Sequence, residues 1–233
     1  MKTILDAILE AFDLIRNLDP EVMAITLKTF QVTGIGLLIA IILGIPTGVI
    51  LGLYSRLKLK GCLIPIIYTG MGLPPVLAGL FIFLLLSKQG PLGSLGWLFS
   101  TSAMIMAQAF LSFPILVGLT MTAVQSVDPM LRQQILSLGA TSNQLALTIL
   151  SEARWGIVAA VITAFGSIIS EVGAVMLVGG NIQGETRVLT TAIVLETRRG
   201  NFSLAFALGI ILLTFTFMVN FFLFRLQTNG GGS

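Results

Sequence analysis

The stretch "LRQQILSLGATSNQLALTILSEARWG", Leu131 to Gly156, interrupts a chain that is apolar almost throughout. Asp128-Pro129, just before it, is an N-cap followed by proline at the first helical position, so a short helix begins there. Leu131, Ile135 and Leu138 recur at i, i+4 and i+7 on one side, and Gly139 ends the helix. Thr141 or Ser142 then caps a second short helix, with Leu145, Ile149 and Ala153 on one face, before Trp155 anchors the chain at a membrane interface. The expectation is a helix, a glycine turn and another helix. Such a passage either lies on lipid headgroups or docks into another protein. A lipid-surface helix usually carries many Lys and Arg, whereas this one offers Gln, Ser, Thr and Asn, which suit a protein groove better.

What surrounds the passage is membrane-like. Of 233 residues 55% are hydrophobic and 10% charged, with mean hydropathy +1.00, against about 25% charge in a soluble domain. Runs free of Asp, Glu, Lys and Arg extend over Thr29–Ser55, Gly61–Ser87, Gln89–Val127 and Gly200–Phe224. Each exceeds the roughly 20 residues that a spanning helix needs. A fifth candidate, Trp155–Gly180, contains one acid, Glu171, which is tolerated on a side facing other helices. The chain is therefore expected to be an all-α, polytopic membrane protein with about five transmembrane helices, six being possible.

At the N-terminus, Ile4, Leu5, Ile8, Leu9, Phe12 and Ile15 share a helical face, while Lys2, Asp6, Glu10, Asp13 and Arg16 lie elsewhere. Residues 1–19 thus read as an amphipathic interfacial helix, too charged to span. No cleaved leader is expected before the first span. Asp19-Pro20 starts a new helix that leads into that span, where Gly44, Gly48 and Gly52 form a stripe suited to close helix packing. In the second run Pro65 and the pair Pro74-Pro75 predict a broken or kinked helix. A third span covers roughly Phe99–Val124, with Pro114 inside it. The transmembrane domain is placed at 20–226, with the polar loop at about 126–155. Residues 227–233 form a tail in which Gly230-Gly231-Gly232-Ser233 reads as an appended linker.

If the compact Arg56/Lys58/Lys60 loop is cytoplasmic, the polar loop is cytoplasmic too and the N-terminus lies outside. One cysteine, Cys62, and no histidine exclude a disulfide framework and a Cys/His metal cluster, so neither a metal site nor a catalytic residue is expected. The net charge of +3 forms no basic stripe with aromatics, which leaves nucleic-acid binding without support. No Gly-x4-Gly-Lys-Ser/Thr phosphate loop occurs, so the chain does not bind ATP by that route.

The polar passage resembles the cytoplasmic coupling loop of ABC importer permeases, whose loose motif is Glu-Ala-Ala, then a glycine, then Ile-x-Leu-Pro. Gly139 stands at the motif's glycine with Ala140 after it, and Ile149 at its isoleucine. Gln133, Gln134 and Ile135 replace Glu-Ala-Ala, and Glu152 stands where the proline would be. Downstream, "SEVGAVMLVGGNIQGETRVLTTAIVLETRRGNF", Ser170 to Phe202, is similar to the oxyanion permeases of the molybdate and tungstate type, most closely the tungstate branch. The Glu-x-Gly-Ala stretch there is Glu171, Gly173 and Ala174. The turn Asn-Ile-x-Gly-x-Thr-Arg is Asn181, Ile182, Gly184, Thr186 and Arg187.

The resemblance covers residues 25–226 and is most specific over 128–202. It implies the transmembrane domain of a binding-protein-dependent ABC importer in a prokaryotic cell membrane. The implied partners are a second copy of the chain, a cytoplasmic ATPase pair that holds ATP and Mg, an extracytoplasmic oxyanion-binding protein, and membrane lipid. It also implies a coupling role for Gln133, Gln134, Leu138, Gly139, Ala140, Ile149 and Glu152. The Asn181–Arg187 turn would shape an outer gate.

Physical chemistry adds alternatives at single positions. Glu171 either lines the pathway or braces the fold by accepting hydrogen bonds, and bracing is favoured because an acid is a poor ligand for a dianion. Arg187 either guides an anion or sits among headgroups, and it opens a segment too short to span. Thr190 and Thr191 are candidate pore hydroxyls, while Arg198 and Arg199 suit headgroups or solvent. The rival class, an autonomous secondary transporter or channel, predicts inverted repeats or several intramembrane ionisable groups, which the sequence does not display.

Overall fold

The computed structural model describes residues 19–53 and 60–229, together with 5, 8, 9, 12, 13, 16 and 17. The interfacial helix expected before residue 19 lies for the most part outside the described residues, as do Arg56 and Lys58 of the basic loop. What is described is helical, with no strand among the described residues.

The first long helix, α1 (Pro20–Leu53), is followed by the short pair α2 (Lys60–Met71) and α3 (Pro75–Leu86), and then by α4 (Thr101–Gln125). Next come α5 (Pro129–Ser137), α6 (Ser142–Ile169), α7 (Gly173–Gly179), α8 (Leu189–Arg198) and α9 (Phe202–Asn229). By length and composition α1, α4, α6 and α9 suffice to cross a membrane. A fifth span results if α2 and α3, bent by 107° at their junction, are taken as one. The bend falls at Pro74-Pro75, as the proline pair predicts, because Pro75 offers no N–H and its ring excludes a straight continuation.

The helix α4 is the centre of the bundle. Of its apolar window 56% is buried, against 28% in α1 and 22% in α6, and it packs on α1, α2, α3, α6 and α7. Its contact with α1 is a ladder with a four-residue step. A β-carbon placed on Gly36 would lie 2.6 Å from Cβ of Gln108, one on Gly44 3.0 Å from Leu116, one on Gly48 2.7 Å from Thr120, and one on Gly52 2.6 Å from Val124. The numbers rise together, so α1 and α4 run parallel, and the intervening α2–α3 pair returns the chain. Only small residues allow this approach, which replaces side-chain packing by backbone proximity.

One span differs from the sequence expectation. Trp155–Gly180 is not a single helix. The spanning helix α6 begins already at Ser142 and ends at Ile169, and the apolar stretch after Glu171 is the separate α7. The polar residues Ser142–Arg154 are therefore its first turns, and the second of the two expected short helices is no short piece. The break has a local cause: the Ser170 hydroxyl bonds back to the carbonyls of Gly166 and Ser167, and Glu171 turns to cap α7. The two broken elements meet, since a β-carbon on Gly79 of α3 would lie 2.6 Å from Ala174 Cα in α7. Around them Ile82, Leu86, Met104, Ile168, Val175 and Val178 form the largest buried cluster.

Candidate functional site

At one end of the bundle α5 stands away from the core, with none of its residues buried. Asp128 caps it by accepting from the Met130 N–H at 2.8 Å, with Pro129 next in line. Its C-terminus closes in a Schellman motif: the Ala140 N–H donates to Ile135 O (3.3 Å) and the Gly139 N–H to Leu136 O (3.0 Å). That closure requires Gly139 at φ +81°. A capping box then opens α6: the Thr141 N–H donates to Gln144 Oε1 at 2.8 Å, and the Gln144 N–H donates back to Thr141 Oγ1 at 3.4 Å.

The side chains sort by exposure. Gln133, Gln134 and Glu152 are exposed, and Ala140 is half-buried. Leu138 is 88% exposed, because the helix has ended before it and the turn carries it away from the side held by Leu131 and Ile135. Met130, Leu136 and Leu147 are exposed as well. Ile149 faces the other way: it is 1% exposed and packs with Val124 and Ala153, anchoring α6 to the end of α4. Arg132 ties α5 to α1 by donating to Leu53 O at 3.3 Å, a cation on helix-terminal carbonyls. Asp128 and Glu152 line a small cavity of about 230 Å³ between α5, α4 and α6.

The opposite end carries the second group of residues. Gly180 and Asn181 adopt left-handed backbone (φ +73° and +53°) and lead from α7 into a tight turn. Ile182 O accepts the N–H groups of Glu185, Thr186 and Arg187. The buried Thr186 hydroxyl donates to Gly179 O at 2.6 Å and accepts from the Ile182 N–H at 2.9 Å, which closes the turn. Arg187 reaches α1, where Nη1 lies 3.4 Å from Glu21 Oε1, and the Gln183 amide donates to the same oxygen at 2.8 Å.

Glu171, Thr190 and Thr191 sit further in. Glu171 Oε1 accepts the Ala174 N–H at 2.9 Å, capping α7, and its carbonyl accepts the Thr190 hydroxyl at 3.0 Å. Thr191 bonds within the first turn of α8, donating to Val188 O and accepting from the Val188 N–H. Thr29 of α1 accepts the Leu189 N–H at 2.9 Å. These hydroxyls fasten the start of α8 to α1 and to the α6–α7 break.

Sequence reasoning missed several members of this end. Glu21 and Lys28 stand more than a hundred positions from Arg187, and no local pattern links them. Glu196 is 7% exposed and holds Arg199 Nη1 at 2.9 Å and Asn201 Nδ2 at 2.8 Å. The i,i+3 spacing of Glu196 and Arg199 was a legible sign of that pair.

Known proteins share this architecture. The family model described as binding-protein-dependent transport system inner membrane component matches residues 44–229. A Haloferax volcanii protein named "Probable anion ABC transporter permease protein" is 42% identical over 203 residues, covering 85% of this chain and 87% of its own. The tungstate uptake system permease protein TupB of Peptoclostridium acidaminophilum is 37% identical over 227 residues, covering 97% and 99%. Relatives named for molybdenum transport are more distant. Among solved structures, a bacterial alginate ABC transporter, in complex with a pentasaccharide-bound periplasmic protein, aligns with TM-score 0.77 at 18% identity, covering 95% of this chain and 84% of that one.

Proposed function

This chain belongs to the family of binding-protein-dependent transport system inner membrane components, and from that premise we propose that it is the membrane-spanning permease of an ATP-driven importer of tungstate. The observation that carries the substrate is the likeness, over nearly the full length of both chains, to a tungstate uptake permease. Molybdate ranks behind it.

The geometry supports a division of labour. The energy comes from a separate ATPase pair, which binds ATP and Mg and docks on the cytoplasmic face of a prokaryotic cell membrane. The receiving surface is α5 with the first turns of α6: Gln133, Gln134, Leu138, Gly139, Ala140 and Glu152, backed by Ile149, which transmits displacement to α4. A second copy of the chain completes the pathway, and lipid covers the outward apolar faces, such as Leu213, Phe217 and Phe221 of α9. An extracytoplasmic oxyanion-binding protein delivers cargo at the opposite end, where Asn181, Thr186 and Arg187 form the mouth. Glu171, Thr190 and Thr191 hold the α6–α7–α8 junction behind that mouth. Closure of the ATPases on ATP pulls α5 and switches the spans from inward-open to outward-open. Selectivity resides chiefly in the delivery protein, because a pathway that must release its cargo binds it weakly.

Reconstitution with the ATPase and binding protein, measuring ATP turnover with tungstate, molybdate and sulfate, tests this reading. Tungstate should stimulate most strongly. Stimulation by none of the three overturns an oxyanion importer.

A further inference from the structure

The outer mouth contains a cavity of about 430 Å³ between the first turns of α1 and the 181–187 turn, whose polar lining is Glu21, Lys28, Gln31, Gln183 and Arg187. We propose that it is a binding site for a tetrahedral oxyanion, and that Glu21 is a built-in competitor whose carboxylate occupies the Arg187 guanidinium until the anion displaces it. This deepens the importer reading above and rests on it for the identity of the anion.

Arg187 carries the argument. Its side chain is 10% exposed, whereas that of Glu21 is 55% exposed. The ion pair joining them is a single contact of 3.4 Å, long for a charge-assisted bond. The Arg187 Nε is buried and has no hydrogen-bond partner among the described residues. A guanidinium is a planar fork of donors suited to two oxygens of one anion, and here one end-on carboxylate oxygen meets it. The largely buried cation is thus under-satisfied, which is costly in a low-dielectric setting. Its present partner is exposed and stands on the first turn of α1, and swinging outward costs it the Gln183 hydrogen bond as well.

The surroundings favour an anion over a cation. Lys28 Nζ lies 3.4 Å from Thr101 Oγ1 on the α1 wall, so the cavity holds two cations against one acid. On the other side of Arg187 the buried Glu196 is already engaged by Arg199 and Asn201, so it does not compete for the guanidinium. The turn that presents Arg187 is fixed by the Thr186 and Ile182 hydrogen bonds, so the backbone that carries the fork is held in place. With Glu21 swung away, two positive charges and the amides of Gln31 and Gln183 face a dianion. With Glu21 returned, the same charges are partly neutralised and the anion leaves. The competitor keeps affinity low enough for transit.

Free tungstate and the phosphate of a lipid headgroup share this chemistry, and the experiment separates them. The probe is radiolabelled tungstate in equilibrium dialysis against the detergent-purified permease–ATPase complex, with and without added phosphatidylglycerol. Glu21→Gln should tighten binding by about fivefold, the scale of an exposed ion pair. Lys28→Gln and Arg187→Lys should weaken it by about tenfold, since each removes a charge or the fork. Glu21 and Lys28 are not buried, so their variants remain informative if the Arg187 variant misfolds. Binding insensitive to phosphatidylglycerol assigns the site to the free anion, and competition by it assigns the same site to a lipid phosphate. Unchanged tungstate binding in Glu21→Gln and Lys28→Gln overturns the site. Uptake by the wild-type complex is read separately: transport that persists while the variants bind alike removes the site and leaves the importer standing. Absent tungstate-stimulated turnover, with the binding shifts intact, does the reverse.

Discussion

At Gly139 the backbone dictates the residue and the packing does not, because φ is +81° and nothing lies within 4 Å of where a β-carbon would stand. A β-branched side chain there costs about 1–2 kcal/mol of backbone strain and opens the Schellman closure that sets α5 against α6. Gly139→Val should therefore lower ATP-driven uptake severalfold while the size-exclusion profile of the purified chain is unchanged, and Gly139→Asn should retain most of it. Equal uptake in all three would remove the turn from the coupling path. Glu171 presents the opposite case, since its acceptor oxygen matters on the α7 N-terminus. Glu171→Leu should lose about 0.5–2 kcal/mol, visible as a lower melting temperature in detergent, whereas Glu171→Gln keeps an acceptor and most of the stability. Two equal losses would show that the charge, not the cap, is what counts.

Among the elements, the α1–α4 ladder makes the firmest prediction. Gly48→Leu forces atoms into Thr120 and the Val117 carbonyl, where a β-carbon alone would already lie 2.7 Å from each. Overpacking of this kind costs about 1–3 kcal/mol. The double variant Gly48→Ala with Thr120→Gly should recover only part of what Gly48→Ala loses, because the Val117 carbonyl still stands 2.7 Å from the new β-carbon, and the shortfall from additivity in thermal unfolding measures the Thr120 share of the contact. Such pairs were half legible: the stripe Gly44, Gly48 and Gly52 announces a close neighbour, but nothing in the sequence says that the neighbour is Leu116, Thr120 and Val124. The elbow at Pro74-Pro75 and the caps at Asp128 and Thr141 were readable because proline and short polar side chains act locally. The extent of α6 was not. Hydropathy rises only at Trp155, whereas the backbone is helical from Ser142, since amides and hydroxyls on the protruding first turns are compatible with a helix. Periodicity put Leu145, Ile149 and Ala153 on one face, as the structure has them, but it could not say that the neighbour they meet is Val124. The Glu21–Arg187 contact was illegible, joining two exposed-looking charges 166 positions apart.

On the scale of the whole molecule, α5 and the 181–187 turn stand at opposite ends of the bundle, which labelling can verify. With Cys62→Ser as background, a membrane-impermeant maleimide should label Gln183→Cys in intact cells and Leu138→Cys only after permeabilisation. The reverse pattern would invert the orientation. The same arrangement has a mechanical consequence. The helix α1 has 34 residues, about 50 Å at about 1.5 Å per residue, and the ladder holds it on both sides of Pro46, through Gly44 and Gly48. Splinted in this way, α1 and α4 act as a beam. Rocking that beam by about 10° around its middle carries each end about 4 Å in opposite directions, by the same rise per residue. Arg132 grips the beam at Leu53 and Arg187 touches it at Glu21. A pull at one grip therefore reaches the other as a see-saw stroke, without any helix having to melt along the way.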